Sequence, residues 1–283
     1  MTSIRDHISD GSQELSLEIQ KANYFATAAK ENWISMVSFA VFILVWELIC
    51  QYEIIGPYQL VPPSEVITVF FEKFTQVNPD GGLLQQHAAA SLLLALTGFL
   101  VAVLVGVPLG LFMGWYPRVN MLVRPIFDAI RPIPPIAWIP IAILWLGIGE
   151  GPKIFICFVG SFAVFVLNAY TGMRYVDHLL IDAARSFGAS PRQQLFNVAI
   201  PASMPSIFAG VQNALSMSWM CVLAAEMVGA REGVGYLIIQ GMELNKPPMI
   251  LVGMICIGVV GALLAVSLRM LERRLCPWRK ELV

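Results

Sequence analysis

Long apolar runs separated by shorter polar segments dominate this chain. Six runs approach the roughly 20 apolar residues that cross a bilayer core. They cover Ile34–Cys50, Ser91–Gly114, Leu122–Leu146, Lys153–Gly172, Pro205–Val228 and Met249–Met270. In lipid each backbone polar group must find a partner within its own segment, so such runs are predicted to be helices. The pattern therefore predicts an all-α integral membrane protein with six transmembrane helices.

Polar segments flank and interrupt this membrane domain. Residues 1–33 form a polar leader, residues 34–270 carry the six spans, and residues 271–283 form a basic tail. The first apolar run begins too late for a usual secretory signal peptide. Residues 174–204 are small, polar and basic in character, and they are predicted to form a loop outside the membrane.

Composition supports a membrane protein and excludes several other classes. Of the 283 residues, 57% are hydrophobic and 13% are charged, whereas soluble domains carry about 25% charged residues. The formal net charge of -1 gives no reason to expect a nucleic-acid partner. The five cysteines form no CxxC pair and the three histidines lie far apart in the sequence, so no metal site is predicted.

Lys and Arg are distributed unequally between the two sets of connections. If the N-terminus is cytoplasmic, thirteen of them fall on the inside, Arg131 lies within a span, and four fall on the outside, at Lys73, Lys153, Arg231 and Lys246. Cytoplasmic connections carry an excess of Lys and Arg. Both termini and the loop at residues 174–204 are therefore predicted to be cytoplasmic.

Two smaller patterns predict helix contacts and leave alternatives open. After Ser64, a candidate N-cap, the stretch "VITVFFEKF" has apolar residues at helical spacing. This amphipathic helix could lie on the outer membrane surface or pack against the bundle. Gly106, Gly110 and Gly114 recur every four residues, a ridge that allows another helix to approach closely. Packing within the chain is favoured there over a dimer contact.

The stretch "IDAARSFGASPRQQLFNVAIP" contains the start and stop signals of two helices. His178–Phe187 lacks Pro and Gly and is predicted to be helical, and Gly188 favours a helix end. Pro191 suits the first turn of a second helix, Arg192–Ile200, which is predicted to end at Pro201. This helix–turn–helix either only joins two spans or docks on a partner through the small residues of its first helix.

The spacing within this segment resembles the EAA motif of bacterial ABC importer permeases. The motif combines an acidic-Ala-Ala triplet, a glycine and an Ile-Pro pair, at Asp182, Ala183, Ala184, Gly188, Ile200 and Pro201. Asp182 replaces the usual Glu, which keeps the charge and shortens the reach. The stretches "RPIPPIAWIPIAILWLGIG", "AAEM", "GVGYLI" and "LERRLCPW" are similar to the taurine, sulfonate and nitrate branch of that family. The resemblance covers about Val61–Trp278.

The resemblance implies a type I importer fold and a mechanism. The first helix of the loop would be a coupling helix that sits in a cleft of a cytoplasmic ATPase subunit. ATP-driven closure of two such subunits would then rock the membrane helices between inward-facing and outward-facing states. The residues implied in this coupling are Asp182, Ala183, Ala184, Arg185, Gly188, Arg192, Ile200 and Pro201.

The resemblance also implies partners, location and cargo. It implies a homodimer of this chain, two ATPase subunits that bind ATP and Mg, and a periplasmic or lipid-anchored binding protein, all at the bacterial inner membrane. The chain itself has no GxxxxGK[ST] phosphate loop, so it is predicted to be non-catalytic and to hold no cofactor of its own. The expected cargo is a small organic anion, taurine or another sulfonate first, with nitrate, bicarbonate, a pyrimidine precursor or an aromatic acid as alternatives.

Prolines and polar groups inside the spans suggest a translocation path or gate. Interior prolines free backbone carbonyls, which must then face protein or water, and ionisable residues inside a span are functional candidates. The candidates are Arg131, Pro134, Pro135, Trp138, Asn168, Ser216, Trp219 and Glu226. Asp128 and Arg131, three residues apart, could pair on one face. In the alternative interpretation, Arg131 sits at the cytoplasmic interface, the prolines only bend the chain, Glu226 reaches the surface by snorkelling, and the other polar groups only bond to helices.

Two other function classes agree less well with the sequence. A carrier driven by an ion gradient would usually show buried carboxylates or broken helices in matching halves, and no matching halves are visible in the sequence. An intramembrane enzyme would be indicated by HExxH or GxSxG, and neither occurs.

Overall fold

The computed structural model of the protein describes residues 33–56, 59–77 and 81–275, and these are helical with short connections. The predicted leader, apart from Trp33, and the predicted tail beyond Leu275 lie outside the described residues. The chain divides after Val66 into an N-terminal unit and a larger unit that begins at Ile67.

The N-terminal unit contains the first apolar helix, α1, which spans Trp33–Gln51. The next helix, α2, spans Pro63–Thr75. Near its start, the Ser64 hydroxyl donates to Glu47 Oε1 at 2.8 Å, and the Ser64 N–H donates to Glu47 Oε2 at 3.2 Å. The predicted helix after Ser64 is therefore confirmed, although Ser64 lies inside its first turn and bonds to Glu47 of α1.

The helix α2 has an exposed aromatic face and a packed face, and its predicted place on the outer membrane surface stays a prediction. Phe71 and Phe74 are exposed and each makes an edge-to-face contact with Phe70. On the other side Lys73 is 3% exposed. The Phe74 carbonyl accepts a hydrogen bond from Gln85 at 3.4 Å. The end of α2 is thus bonded to the start of α3 within the larger unit, while Phe71 and Phe74 stay exposed.

Three long helices form the centre of the larger unit: α3 spans Leu84–Trp115, α6 spans Glu150–Arg174 and α9 spans Ile200–Glu226. Both α3 and α9 pack against α6 along its length. Their shared core contains Phe99, Ala102, Phe165, Ala214 and Leu215. The predicted second, fourth and fifth spans correspond to these helices, each somewhat longer than its apolar run.

The glycine ridge of α3 packs against α6. A Cβ atom on Gly110 would lie 2.5 Å from the Val166 carbonyl, and one on Gly114 would lie 2.6 Å from Met173 Cβ. Real Cβ atoms do not approach so closely, so only glycine permits this contact. The prediction that the ridge serves packing within the chain is confirmed.

The predicted third span is wrong as one continuous helix. It consists of α4, Pro117–Ile130, a 3-10 turn, Pro135–Trp138, and α5, Ile139–Leu146. The two halves meet at an angle of 88°. Pro132, Pro134 and Pro135 lie in or next to the break, and each lacks the N–H that an α-helix needs.

The remaining helices of the larger unit are α10, Val234–Glu243, and α11, Pro247–Leu275. Sequence patterns did not predict α10, because its ten residues are too few to cross a bilayer. Among the described residues, five helices are long and apolar enough to span a membrane, and the bent pair α4–α5 would make a sixth. This agrees with the predicted all-α membrane fold.

Candidate functional site

The hairpin between α6 and α9 begins with a well-capped helix, α7, which spans His178–Ser186. The Asp177 carboxylate accepts a hydrogen bond from the Leu179 N–H at 2.9 Å, the usual N-cap arrangement. The chain then turns at Gly188, whose φ of +80° lies in the left-handed region that glycine adopts without strain. The predicted first helix and its glycine end are confirmed.

A second helical segment starts directly after this turn. Ser190 caps it: its hydroxyl accepts from the Gln193 N–H at 3.4 Å and its N–H donates to Gln193 Oε1 at 2.8 Å. This capping box satisfies N–H groups that would otherwise lack partners. The short helix α8, Pro191–Gln193, passes into a π-helical segment, Gln194–Ala199, that leads into α9.

The prediction that this second helix ends at Pro201 is wrong. Residues Pro191–Glu226 form one continuous helical stretch, and Pro201 lies in the first turn of α9. A proline removes one N–H donor from the ladder. The change from π-helical to α-helical bonding just before Pro201 accommodates the loss, so the hairpin joins α9 without a flexible break.

A buried apolar cluster anchors the hairpin to the bundle. It consists of Met173, Val176, Leu195 and Ala199, with the half-buried side chains of Leu111, Trp115, Ile181 and Ile200 packed against it. These residues come from the ends of α3 and α6, from α7 and from the helical stretch that leads into α9. A displacement of the hairpin must therefore shift these helix ends as well, because packed cores are poorly compressible.

The predicted coupling residues lie mostly on the outer surface of this hairpin. Asp182 forms an exposed ion pair with Arg185 at 3.4 Å, Ala183 and Arg192 are exposed, and Ala184 is half-buried. Pro201 is exposed and Ile200 packs on the apolar cluster. The structure brings the motif together on one hairpin, and the role of each residue in coupling stays a prediction.

Sequence reasoning missed the exposed apolar side chains of the same hairpin. Phe187, next to the turn, is 92% exposed, and Tyr175 and Leu179 are 84% and 74% exposed. These values stand out because the hairpin is outside the predicted spans, where no lipid would cover them. An aromatic residue directly before a turn glycine was the available signal. Because contiguous exposed apolar patches mark protein contact sites, these side chains are candidates for a contact with a partner.

Several predicted path residues instead make contacts that explain their positions by packing. The Asn168 amide donates to the Val164 carbonyl of its own helix, and the Ser216 hydroxyl donates to the Gln212 carbonyl of its own helix. The buried Trp219 donates through Nε1 to the Ile257 carbonyl, which joins α9 to α11. A path role for these residues stays a prediction.

The α4–α5 break places the other path candidates. Pro134 and Pro135 form the break itself, and Trp138 packs edge-on against Phe155 with ring centroids 6.5 Å apart. Arg131 follows the last residue of α4. The predicted pairing of Asp128 with Arg131 is wrong: Asp128 pairs with Arg124 at 3.3 Å, because both lie within α4 one turn apart.

Glu226, the last residue of α9, is buried at 1% exposure, so the snorkelling interpretation is wrong. Its Oε2 atom accepts from the Ser91 hydroxyl of α3 at 2.8 Å and from the Gly235 N–H at 2.9 Å. The Ser91 oxygen accepts from the Val234 N–H at 2.8 Å, and His87 Nδ1 accepts from the Gly233 N–H at 3.1 Å. These side chains cap the N-terminus of α10, where helical N–H groups lack partners.

Comparison with known proteins identifies the family. Residues 106–280 match the family described as binding-protein-dependent transport system inner membrane component. The chain belongs to this family. The match covers the second part of α3 and all of α4–α11, including the hairpin and Glu226, and it confirms the resemblance that the hairpin motif indicated.

Individual relatives agree with this assignment. The chain is 35% identical over 256 residues to the taurine transport system permease protein TauC of Escherichia coli (strain K12), covering 89% of this chain and 92% of that protein. It is 31% identical over 246 residues to the nitrate import permease protein NrtB of Synechocystis sp., covering 85% and 88%. A chain of the MetNI methionine ABC transporter in an inward facing conformation has the same fold, with a TM-score of 0.61 over 68% of this chain and 95% of that chain at 19% identity.

The family assignment gives the structure its biological setting. The chain is an ABC importer permease of an inner-membrane family, and its relatives are permease subunits of transport systems. Among residues 33–56, 59–77 and 81–275, no group of three His, Cys, Asp or Glu side chains could hold a metal ion.

Proposed function

We propose that this permease imports a small organic anion, with taurine or a related sulfonate as the first candidate. The 35% identity to a taurine transport permease over 89% of the chain supports this cargo. Nitrate is the second candidate, supported by the 31% identity to a nitrate import permease. A carrier driven by an ion gradient is not favoured, because the relatives are permeases of ABC systems.

The proposed mechanism is alternating access driven from outside the chain. Two cytoplasmic ATPase subunits, which bind ATP and Mg, would receive the hairpins of two copies of this permease. A periplasmic or lipid-anchored binding protein would deliver the anion on the opposite side. The excess of Lys and Arg on one set of connections supports cytoplasmic termini and a cytoplasmic hairpin.

The observation that carries the proposal is the combination of an exposed hairpin tip and a buried hairpin base. The tip presents Phe187 at 92% exposure, as an apolar anchor for a groove on a partner would. The base is packed into the ends of α3 and α6 through Met173, Val176 and Leu195. Force applied at the tip would thus reach the membrane helices directly.

Uptake by the reconstituted complex tests the cargo and the energy source together. The chain would be purified with its ATPase subunit, placed in proteoliposomes, and supplied with the binding protein encoded beside it. We expect radiolabelled taurine to accumulate only when ATP is available to the ATPase, and excess nitrate to compete poorly. Accumulation that continues without ATP and stops when the proton gradient is dissipated would contradict the proposed mechanism.

A further inference from the structure

A cavity between α4 and α6 concentrates positive charge near the end of α6 that leads into the hairpin. The polar lining of the cavity comes from Arg124, Asp128, Arg131 and Tyr170. Phe127 and Met113 contribute apolar wall. Tyr170 lies one helical turn before Arg174, the last residue of α6, so the cavity opens close to the base of the hairpin.

Two guanidinium groups converge on the Tyr170 phenol: that of Arg124, which lines the cavity, and that of Arg174, one turn further along α6. Arg174 and Arg124 both donate to the Tyr170 hydroxyl oxygen, at 2.7 Å and 3.2 Å. Their guanidinium carbons lie 5.9 Å and 5.7 Å from the centre of the Tyr170 ring. Two like charges are thus held close together on one acceptor, and the repulsion between them favours an anion nearby.

Asp128 balances only part of this charge. Its carboxylate bonds to Arg124 Nε at 3.3 Å. Arg131 lines the same cavity, and within the described part of the chain its side chain makes no hydrogen bond or ion pair. Two guanidinium groups and one carboxylate line the cavity, and Arg174 adds a further positive charge beside it through its bond to Tyr170.

We propose that this cavity binds a small oxyanion group, as found in a sulfonate, sulfate or phosphate. A guanidinium group offers paired N–H donors whose spacing matches two oxygens of such an anion. An anion between Arg131 and Arg124 would replace the missing negative charge and relieve the repulsion at Tyr170. A general preference of basic residues for the membrane interface would explain these charges, but it would not explain why Arg124 and Arg131 line one cavity.

The position of the cavity suggests when the site is filled. The inference rests on the proposed function in one respect, the orientation of the permease in the membrane, which puts this end of α6 on the cytoplasmic side. A site there faces the compartment that receives the imported anion. It would hold an anion on its way out of the permease, and a high concentration of delivered anion would keep it occupied.

Equilibrium binding of radiolabelled sulfate to the full-length permease, assembled with its ATPase subunit, tests the site. Ionic strength would be held constant with chloride. Because a hydrogen bond to a charged group contributes about 1.5–3 kcal/mol, we expect Arg131→Gln to weaken sulfate binding about tenfold or more. Arg118→Gln is the matched control, since Arg118 is an exposed arginine of the same helix that does not line the cavity.

The variant Asp128→Asn tests whether this carboxylate competes with a bound anion, because a purely structural role of Asp128 would not produce a gain in sulfate affinity. Removal of the competing carboxylate should strengthen sulfate binding about two- to fivefold, in line with exposed ion pairs of about 0.2–1 kcal/mol. Loss of affinity in Arg131→Gln together with a gain in Asp128→Asn supports the site. Sulfate binding that is unchanged in both variants overturns it.

A second experiment, with lipids, shows whether the oxyanion in the site comes from a free anion or from a lipid headgroup. The wild-type permease and Arg131→Gln would be compared by native mass spectrometry in nanodiscs of phosphatidylglycerol or of phosphatidylcholine. Phosphatidylglycerol retained by the wild type but not by the variant, with no sulfate binding, assigns the site to lipid phosphate. If neither sulfate binding nor phosphatidylglycerol binding depends on Arg131, the site is overturned. ATP-driven uptake of taurine, which tests the proposed function, can still succeed in that case.

Discussion

The Ser91 hydroxyl of α3 donates a hydrogen bond to the Glu226 carboxylate at the end of α9, at 2.8 Å and across 135 positions of the sequence. The same carboxylate oxygen accepts from the Gly235 N–H at 2.9 Å. Both side chains are buried. One carboxylate therefore ties α3, α9 and the start of α10 together.

Glu226→Ala should destabilise the permease by about 1–3 kcal/mol, because the buried Ser91 hydroxyl and Gly235 N–H then lose their acceptor. Glu226→Gln should cost less, since its amide oxygen can accept the same bonds. Thermal unfolding of the detergent-purified chain, followed by circular dichroism, measures the difference. Glu232→Gln serves as control, because Glu232 is exposed. Equal unfolding temperatures for Glu226→Ala and the wild type would show that the contact does not stabilise the fold.

Phe187→Ala should weaken binding of the ATPase subunit about 30-fold or more, the effect of losing a central apolar anchor worth about 2 kcal/mol or more. Membrane insertion should be unchanged, because Phe187 is 92% exposed and supports no core. Binding would be measured by surface plasmon resonance with the permease in nanodiscs. Phe71→Ala, which removes an exposed aromatic side chain from α2, is the control. If both variants bind the ATPase as tightly as the wild type, the hairpin tip is not the contact.

Gly188→Val should impair uptake far more than Gly188→Asn. The φ of +80° at this position is unfavourable for β-branched residues and tolerated by asparagine. A Cβ atom here would have no neighbour within 4 Å, so backbone strain rather than a clash separates the two variants. ATP-dependent uptake into proteoliposomes provides the measurement. Similar uptake by the two variants would mean that the turn geometry does not matter for coupling.

Gly110→Val should disrupt the packing of α3 on α6, at a cost of about 1–3 kcal/mol or more. Its Cβ atom would lie 2.5 Å from the Val166 carbonyl, a backbone atom that cannot move aside alone. Gly258→Val on α11 is the matched control, because no atom lies within 4 Å of its Cβ position. The yield of folded protein in size-exclusion chromatography and the unfolding temperature measure the effect. A Gly110→Val variant as stable as Gly258→Val would refute the close contact.

Alkaline pH should stabilise the permease through Lys73. Burial and the nearby charge of Lys246 lower the pKa of Lys73 to about 8 in the folded protein, from a usual value of 10.5. Between these values the unfolded chain binds more protons than the folded one, so stability rises with pH through this window. The increase in unfolding temperature between pH 7.5 and pH 10 should therefore be smaller in Lys73→Met than in the wild type. Parallel curves for the variant and the wild type would contradict the prediction.

The path candidates show where sequence reasoning reaches its limit. Interior prolines correctly indicated a break near Pro134 and Pro135, because a missing N–H is a local property. The pairing of Asp128 was wrong, since it depended on where α4 ends. The clustering of Arg124 and Arg174 around Tyr170 was not predicted, because it joins α4 to α6 across 46 positions of the sequence.

The sequence by itself determined the membrane class, the long apolar helices, the helix start and stop signals of the hairpin, and the motif that indicated the family. These features depend on runs and spacings of neighbouring residues, and lipid enforces helical bonding within each run. Only the tertiary structure decided that α4 and α5 meet at 88°, that Glu226 caps α10, and that Phe187 stands exposed above a packed base. Each of these is set by contacts between residues far apart in the chain, and no local pattern records such contacts.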